Sequence, residues 1–236
     1  MSYLINRIEF CDVSFSFENH DAILEHTNLI FPLGETISLR GDRGSGRSTL
    51  LQLLAGLQVP TFGQIKMNDV SVSDLSFEEF LPYRLKIGYT FDLGGLISNR
   101  TLVDNLLLPL DYHSICPPKE ALERVNYYID KFSLNKSKDM RPANVSGGVR
   151  KLTCLIRSLL LEPEVLLLDD LTVGLSKPQV ELFCSCVDEL KKAGKNHTVI
   201  FSSFDESFVK QIETTSIYFE SGQIYLHETD KKVVNL

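Results

Sequence analysis

The chain has 236 residues, enough to bury a sizeable core as one domain or one domain with an insertion. A formal net charge of −7 gives no bulk attraction for nucleic acid, which is not expected as a partner. Five cysteines without zinc-type spacing exclude a disulfide scaffold and suit reduced thiols. Met1–Asp12 carries Arg7, Glu9 and Asp12 instead of an apolar centre, and no apolar run approaches a membrane span.

In chain order, Ile8–Phe17 alternates Ile8, Phe10, Val13, Phe15 and Phe17, the pattern of an edge strand in a hairpin. An aromatic at Phe17 either faces the core or stacks on a purine base. His26–Phe31 and Thr36–Arg40 are expected as strands about the turn Pro32-Leu33-Gly34-Glu35. Next comes Gly41-Asp42-Arg43-Gly44-Ser45-Gly46-Arg47-Ser48-Thr49, then Leu50–Leu57, which suits a buried helix. Strand, glycine loop and helix in this order make a phosphate-binding loop. The glycines let backbone N–H groups turn inward, and the helix N-terminus adds partial positive charge. The loop meets the Walker A pattern except at Arg47, where the pattern wants lysine. Arginine keeps the charge but is planar and bulkier.

Val59-Pro60-Thr61-Phe62-Gly63 turns into a strand at Gln64–Met67. Ser76–Arg84 suits a short helix broken near Pro82, and Leu85–Phe91 a strand running to the pair Gly94-Gly95. Leu102, Val103, Leu106, Leu107 and Leu110 recur at helical spacing, Pro117-Pro118 interrupts, and Lys119–Leu134 resumes a helix. Residues 101–144 therefore form a helical insertion in an α/β core made of residues 1–100 and 145–236, one domain in all. Ser146 can N-cap a helix over Val149–Leu161, and Gly147 and Gly148 allow close backbone approach. Glu164–Leu168 is a buried strand ending at Asp169-Asp170, where α/β sheets bind ligands. One acid there can hold Mg²⁺ and the next can orient a water. A helix over Pro178–Ala193, a strand over Thr198–Phe201, a helix over Phe204–Ile212 and a hairpin about Ser221-Gly222 complete the chain. Thr36–Arg40 and Glu164–Leu168 are expected as neighbouring central parallel strands.

The glycine loop, the helical insertion, Val145-Ser146-Gly147-Gly148 and Leu166-Leu167-Leu168-Asp169-Asp170 resemble, in this order, the nucleotide-binding domain of ABC transporters. Phe91-Asp92-Leu93-Gly94-Gly95-Leu96-Ile97, Thr101–Asn105 and Leu108-Pro109-Leu110 look most like the ATPase of bacterial Mce-type phospholipid transporters. The resemblance implies an α/β fold: a P-loop NTPase core with an antiparallel β subdomain and a helical subdomain. It implies ATP and Mg²⁺ as ligands. Gly41, Gly44, Ser45, Gly46, Arg47, Ser48 and Thr49 would cradle the phosphates, and Phe17 would stack on adenine. Ser48 and Asp169 would hold the metal. Ser146, Gly147 and Gly148 would complete the site of a second ABC ATPase domain. An integral membrane permease would be the other partner, with the chain cytoplasmic and peripheral on the inner membrane face. Lipid is the cargo this resemblance suggests.

Four catalytic-class positions depart from the family pattern. Arg47 replaces lysine, Asp92 a glutamine, Asp170 the catalytic glutamate, and Ser203 the histidine at the γ-phosphate. Two functions are then expected in competition: a transporter ATPase whose hydrolysis is slow or partner-dependent, or a non-catalytic subunit with a regulatory or structural role.

Overall fold

Period-two burial builds the first layer. In the computed structural model, which describes residues 4–18, 20–92, 95–193, 197–220 and 222–228, β1 (Ile8–Phe15) turns Ile8, Phe10, Val13 and Phe15 inward. It pairs antiparallel with both β2 (Leu24–Ile30) and β4 (Phe62–Met67), and β5 (Val70–Ser71) completes a sheet ordered β2-β1-β4-β5. So β1 is an interior strand, not the expected edge strand. Its alternation fixes which face is buried, but carries nothing about a second partner far along the chain. Asp12, at φ 55°, lies where the register against both neighbours shifts, as in a bulge.

The second sheet is made of β3 (Thr36–Arg40), β6 (Ile87–Thr90), β7 (Val165–Leu168), β8 (Thr198–Ser202), β9 (Thr215–Glu220) and β10 (Gln223–Glu228). Its order is β10-β9-β3-β8-β7-β6, parallel throughout except for the β9–β10 hairpin. β8 therefore separates β3 from β7, which were expected as neighbours. Both are apolar and buried on two faces, and the order of such strands is set by crossover packing that composition does not record. β7 shows the layering directly. Val165 and Leu167 join Ile37, Leu39 and Ile200 in a core shared with the antiparallel sheet; Leu166 and Leu168 join Val199 and Phe201 in a second core.

Among the described residues seven helices pack around these cores: α1 (Arg47–Leu54), α2 (Phe77–Arg84), α3 (Leu102–Tyr112), α4 (Pro118–Lys131), α5 (Gly147–Leu159), α6 (Lys177–Lys192) and α7 (Glu206–Ile212). With an antiparallel sheet, a mostly parallel sheet and the helices α3 and α4 between β6 and β7, the molecule has the expected fold class. α2 is not broken at Pro82. Ser76 and Glu79 close a capping box at its start, and the helix ends two residues after the proline. α3 begins with a second such box, Thr101 with Asp104. Buried Asn105 then ties the preceding loop down: it accepts from Ile97 N at 2.7 Å and donates to Ile97 O at 3.1 Å. Gly88 lets α5 approach β6, since a Cβ there would stand 2.4 Å from Ser158 O. All five cysteines are free. Leu93, Gly94 and Ser221, which carried part of the sequence reading, lie outside the described residues.

Candidate functional site

β3 delivers the chain to Gly41 at the C-terminal edge of the parallel strands, where open α/β sheets bind ligands. The loop turns on left-handed backbone at Gly44 (φ 83°) and Gly46 (φ 106°). A Cβ at Gly46 would stand 2.2 Å from Ile23 Cγ2, so no other residue fits. Gly46 precedes α1, and no side chain caps that helix. The first backbone bond, Leu50 N to Gly46 O at 2.8 Å, leaves the N–H groups of Arg47, Ser48 and Thr49 without an intrahelical acceptor. Ser45 Oγ is also buried with no partner among the described residues. Unsatisfied donors gathered at a helix N-terminus are what an anion satisfies. A cavity of about 260 Å³ opens beside the loop, lined in part by Ile23, Gly44, Ser45 and Phe219.

Asp169 collects two hydroxyls at the mouth of the loop. Ser48 donates to its Oδ1 at 3.1 Å and Ser202 to the same oxygen at 2.9 Å. A carboxylate and a hydroxyl set against a phosphate cradle are hard oxygen donors and fit Mg²⁺, which keeps substrate phosphates and water as its other ligands. Among the described residues no group of three or more His, Cys, Asp or Glu could hold an ion by itself. Asp170 follows at φ 44°, its N–H bonded to Ser202 Oγ at 2.8 Å. Its Oδ1 is buried without a partner. Burial, then the charges of Asp169 and Asp92, push its carboxyl above the usual carboxylate range. Asp92 is thus close enough for its charge to act on Asp170.

Two residues enter the site that sequence reasoning missed. Lys151 is buried on α5 and donates to Asp169 O at 2.5 Å, Phe91 O at 3.0 Å and Asp92 O at 3.3 Å. It ties the ends of β6 and β7 to one helix, and burial pushes its ammonium below the usual lysine value. The available signal was a lysine at a core-facing helical position. The second is Phe204. The Arg47 guanidinium lies over its ring, 4.2 Å from the centroid. Ser203, read from the sequence as standing in place of the histidine at the γ-phosphate, bonds its protein neighbours. Its hydroxyl meets Thr172 Oγ1 at 2.7 Å and accepts from Asp205 N at 3.1 Å. The side chain that meets the loop's arginine is therefore Phe204, the next residue along.

The family model described as ABC transporter matches residues 24–173. The chain belongs to the ABC transporter family. It is 33% identical over 234 residues to a putative ABC transporter ATP-binding protein of Methanosarcina acetivorans, covering 95% of this chain and 83% of that one. A methionine import ATP-binding protein of Paraburkholderia xenovorans is 29% identical over 220 residues, 91% of this chain and 56% of the relative. The chain spans about half the length of the methionine-import relatives it matches. In fold it superposes on a dimeric ATP-binding cassette in a post-hydrolysis state bound to ADP and phosphate, with a TM-score of 0.82 at 24% identity, covering 94% of this chain and 98% of the other. These relatives carry methionine-import or general ABC names and lend no support to the phospholipid-transporter subfamily expected from Phe91–Leu110.

In this ABC protein Ser146 N-caps α5, its Oγ accepting from Val149 N at 3.3 Å. The two glycines after it differ. A Cβ at Gly147 would meet only the Arg150 guanidinium at 3.8 Å, whereas one at Gly148 would stand 2.3 Å from Gly174 O. Gly148 thus lets α5 touch the loop after β7, and Gly147 leaves open space for whatever approaches. Phe17 lies past the end of β1, 42% exposed, and meets Phe15 edge-on at 5.0 Å. It is neither sealed in the core nor fully free, and its exposed ring can take a base.

Proposed function

We propose that the chain is the ATP-binding subunit of an ABC importer, working on ATP with Mg²⁺. One observation carries the reading. The Ser48–Asp169 hydrogen bond sits at the mouth of a glycine loop where the N–H groups opening α1 have no intrahelical acceptor and the Ser45 hydroxyl has no partner. Backbone N–H groups of residues 44–49 would take the phosphates, Ser48 and Asp169 the metal, and Phe17 the base. Bound Mg²⁺ supplies Lewis-acid charge at the phosphates. This chain's own residues do the rest: Asp170 is the acid placed to orient a water, and it is one methylene shorter than the glutamate of the family pattern. That shortening accounts for hydrolysis that is slow or needs a partner, because a misplacement of about 1 Å can cost ~10²-fold.

The cargo favoured by the relatives' names is methionine or a similar small amino acid, and not the lipid that the sequence pattern suggested. The permease would dock near Asp92–Arg100, where Phe91 and Ile97 are exposed apolar side chains on a segment held by Asn105. A second ABC ATPase domain would meet Ser146, Gly147 and Gly148. The chain would lie on the cytoplasmic face of the membrane through its permease; among the described residues no helix is long and apolar enough to cross it. The domain limits, core 1–100 and 145–236 with the helical insertion 101–144, are part of the same proposal.

A second reading draws on Asp170, whose buried Oδ1 has no partner and whose carboxyl is pushed above its usual range by burial, and on Arg47: a non-catalytic half of a heterodimer. Capture of the tagged chain from membranes in mild detergent separates the two. The proposal expects a permease, copies of this same chain, and phosphate release that methionine transport accelerates. Recovery with a different ATPase that retains lysine and glutamate favours the second reading. Recovery of the chain with no membrane subunit contradicts both.

A further inference from the structure

We propose that Asp92 and Lys151 are a compensating charge pair at the corner where β6 and β7 end, with Lys151 the positioning residue for the Asp169–Asp170 turn. The pair stands on the fold alone; its effect on Mg-nucleotide rests on the nucleotide-site reading above.

The β6–β7 ladder brings like charges together. Thr90 and Leu168 are partners in that parallel pairing, and Asp169 N donates to Thr90 O at 3.2 Å. Asp92 and Asp170 each come two residues after the paired residues, so two carboxylates leave the same end of neighbouring strands with Asp169 beside them. Unopposed, three acids there repel one another and any phosphate. Lys151 enters the corner from α5, 6% exposed. Its ammonium donates to Asp169 O at 2.5 Å, Phe91 O at 3.0 Å and Asp92 O at 3.3 Å. All three acceptors are neutral backbone carbonyls, and none is a carboxylate oxygen. The donors are therefore satisfied while the charge is not, and a buried cation is costly unless an opposite charge stands near it.

The opposite charges are the three acids. Burial lowers the Lys151 ammonium, and among the charges that work against burial Asp92 comes first, ahead of Asp169 and Asp170. The influence also runs back. Lys151 opposes the rise that burial, Asp169 and Asp92 produce at Asp170. A neutral side chain at position 92, such as the glutamine of the family pattern, would leave Lys151 with less to offset its burial. A neutral side chain at position 151 would leave three acids unopposed. Each charge is costly without the other, and together they let the Asp169–Asp170 turn sit at the end of β7 with Asp92 beside it. A lysine that worked only as a brace on three carbonyls would be indifferent to the charge at position 92.

The test is a double-mutant cycle on the full chain at neutral pH, with wild type, Lys151→Met, Asp92→Asn and the double variant. It is read by urea unfolding without nucleotide and by calorimetric titration with Mg-ATP. Lys151→Met should raise the unfolding equilibrium constant roughly a hundred-fold, the scale of a broken buried charge pair. Asp92→Asn should recover about ten-fold or more of that loss in the Lys151→Met background, and recover nothing in the wild-type background. Asp139→Asn, at an exposed acid of the helical insertion, should recover nothing in either. Mg-ATP affinity should fall about ten-fold in Lys151→Met and return to within about three-fold of wild type in the double variant. If Lys151→Met does not fold, Lys151→Gln, which keeps donors for the carbonyls but not the charge, takes its place. The proposal is overturned if Asp92→Asn changes stability equally with and without Lys151, or if Asp139→Asn recovers as much. It is overturned as a positioning role if the double variant regains stability but not Mg-ATP affinity. If wild type binds no nucleotide and the stability coupling is present, the nucleotide-site reading fails and the charge pair stands.

Discussion

Asp170 concentrates the tension of the site in one side chain. It holds left-handed backbone, an unpartnered buried oxygen, and two acidic neighbours whose charges act on it. Its carboxyl retains a proton more strongly in the folded chain than in the unfolded one. Stability is therefore lost as pH rises from the ordinary carboxylate value through the folded one, and the full penalty is present above both. Asp170→Asn removes it. The thermal midpoint of Asp170→Asn relative to wild type should rise with increasing pH, be largest at neutral pH and flatten below about pH 4. Any offset from asparagine's ease in left-handed backbone is the same at every pH. A difference that does not change between pH 4 and 8 would contradict this account of the acid. At this scale much of the site was legible. The glycine loop, Ser48, Asp169 and the Ser146 cap are local chemistry at fixed spacing. Phe204 and Lys151 were not, because their roles come from what lies across the fold: a loop arginine in one case, three backbone carbonyls in the other.

The elements around the loop are fastened by an ion-pair network directly upstream of Gly41. Arg40 at the end of β3 gives Glu213 two hydrogen bonds, Nη2 to Oε1 at 2.7 Å and Nε to Oε2 at 3.2 Å, and reaches Glu206 on α7. Ser38 and Ser216 also donate to Glu213. Burial alone would raise the Glu213 carboxyl, but hydrogen bonds from Arg40, Ser38 and Ser216 outweigh it and hold the carboxyl below its usual range. Its contribution is thus present above the ordinary carboxylate value and lost as pH falls through the lower folded one. Arg40→Met strands the acid and should cost about 2–3 kcal/mol in urea unfolding at neutral pH. A loss below about 0.5 kcal/mol would assign the pair to surface behaviour. Element types were read from the sequence with small end shifts, because periodicity and caps are local. The neighbours of β1 and the place of β8 between β3 and β7 were not, since pairing of distant strands depends on how α1, α5 and α6 cross over, and no single stretch encodes it.

At the scale of the molecule, a mostly parallel sheet carries the glycine loop, Asp169 and Phe204 on the C-terminal ends of β3, β7 and β8, while α5 presents Ser146 and two glycines at its own start. One carboxylate with two hydroxyls beside it is a sparse set for Mg²⁺, so on this account the nucleotide's phosphates complete the cation's ligands. The central claim is that the loop holds Mg-nucleotide although arginine replaces lysine. Calorimetric titration of the purified chain with Mg²⁺ alone, ATP alone and Mg²⁺ with ATP tests it most directly, with thermal unfolding run in parallel. The account predicts no saturable heat with Mg²⁺ alone, binding with ATP, tighter binding when both are present, and stabilisation of about 2.7 kcal/mol at a hundred-fold excess over Kd. No heat and no thermal shift at millimolar Mg-ATP, or saturable Mg²⁺ binding without nucleotide, would contradict it.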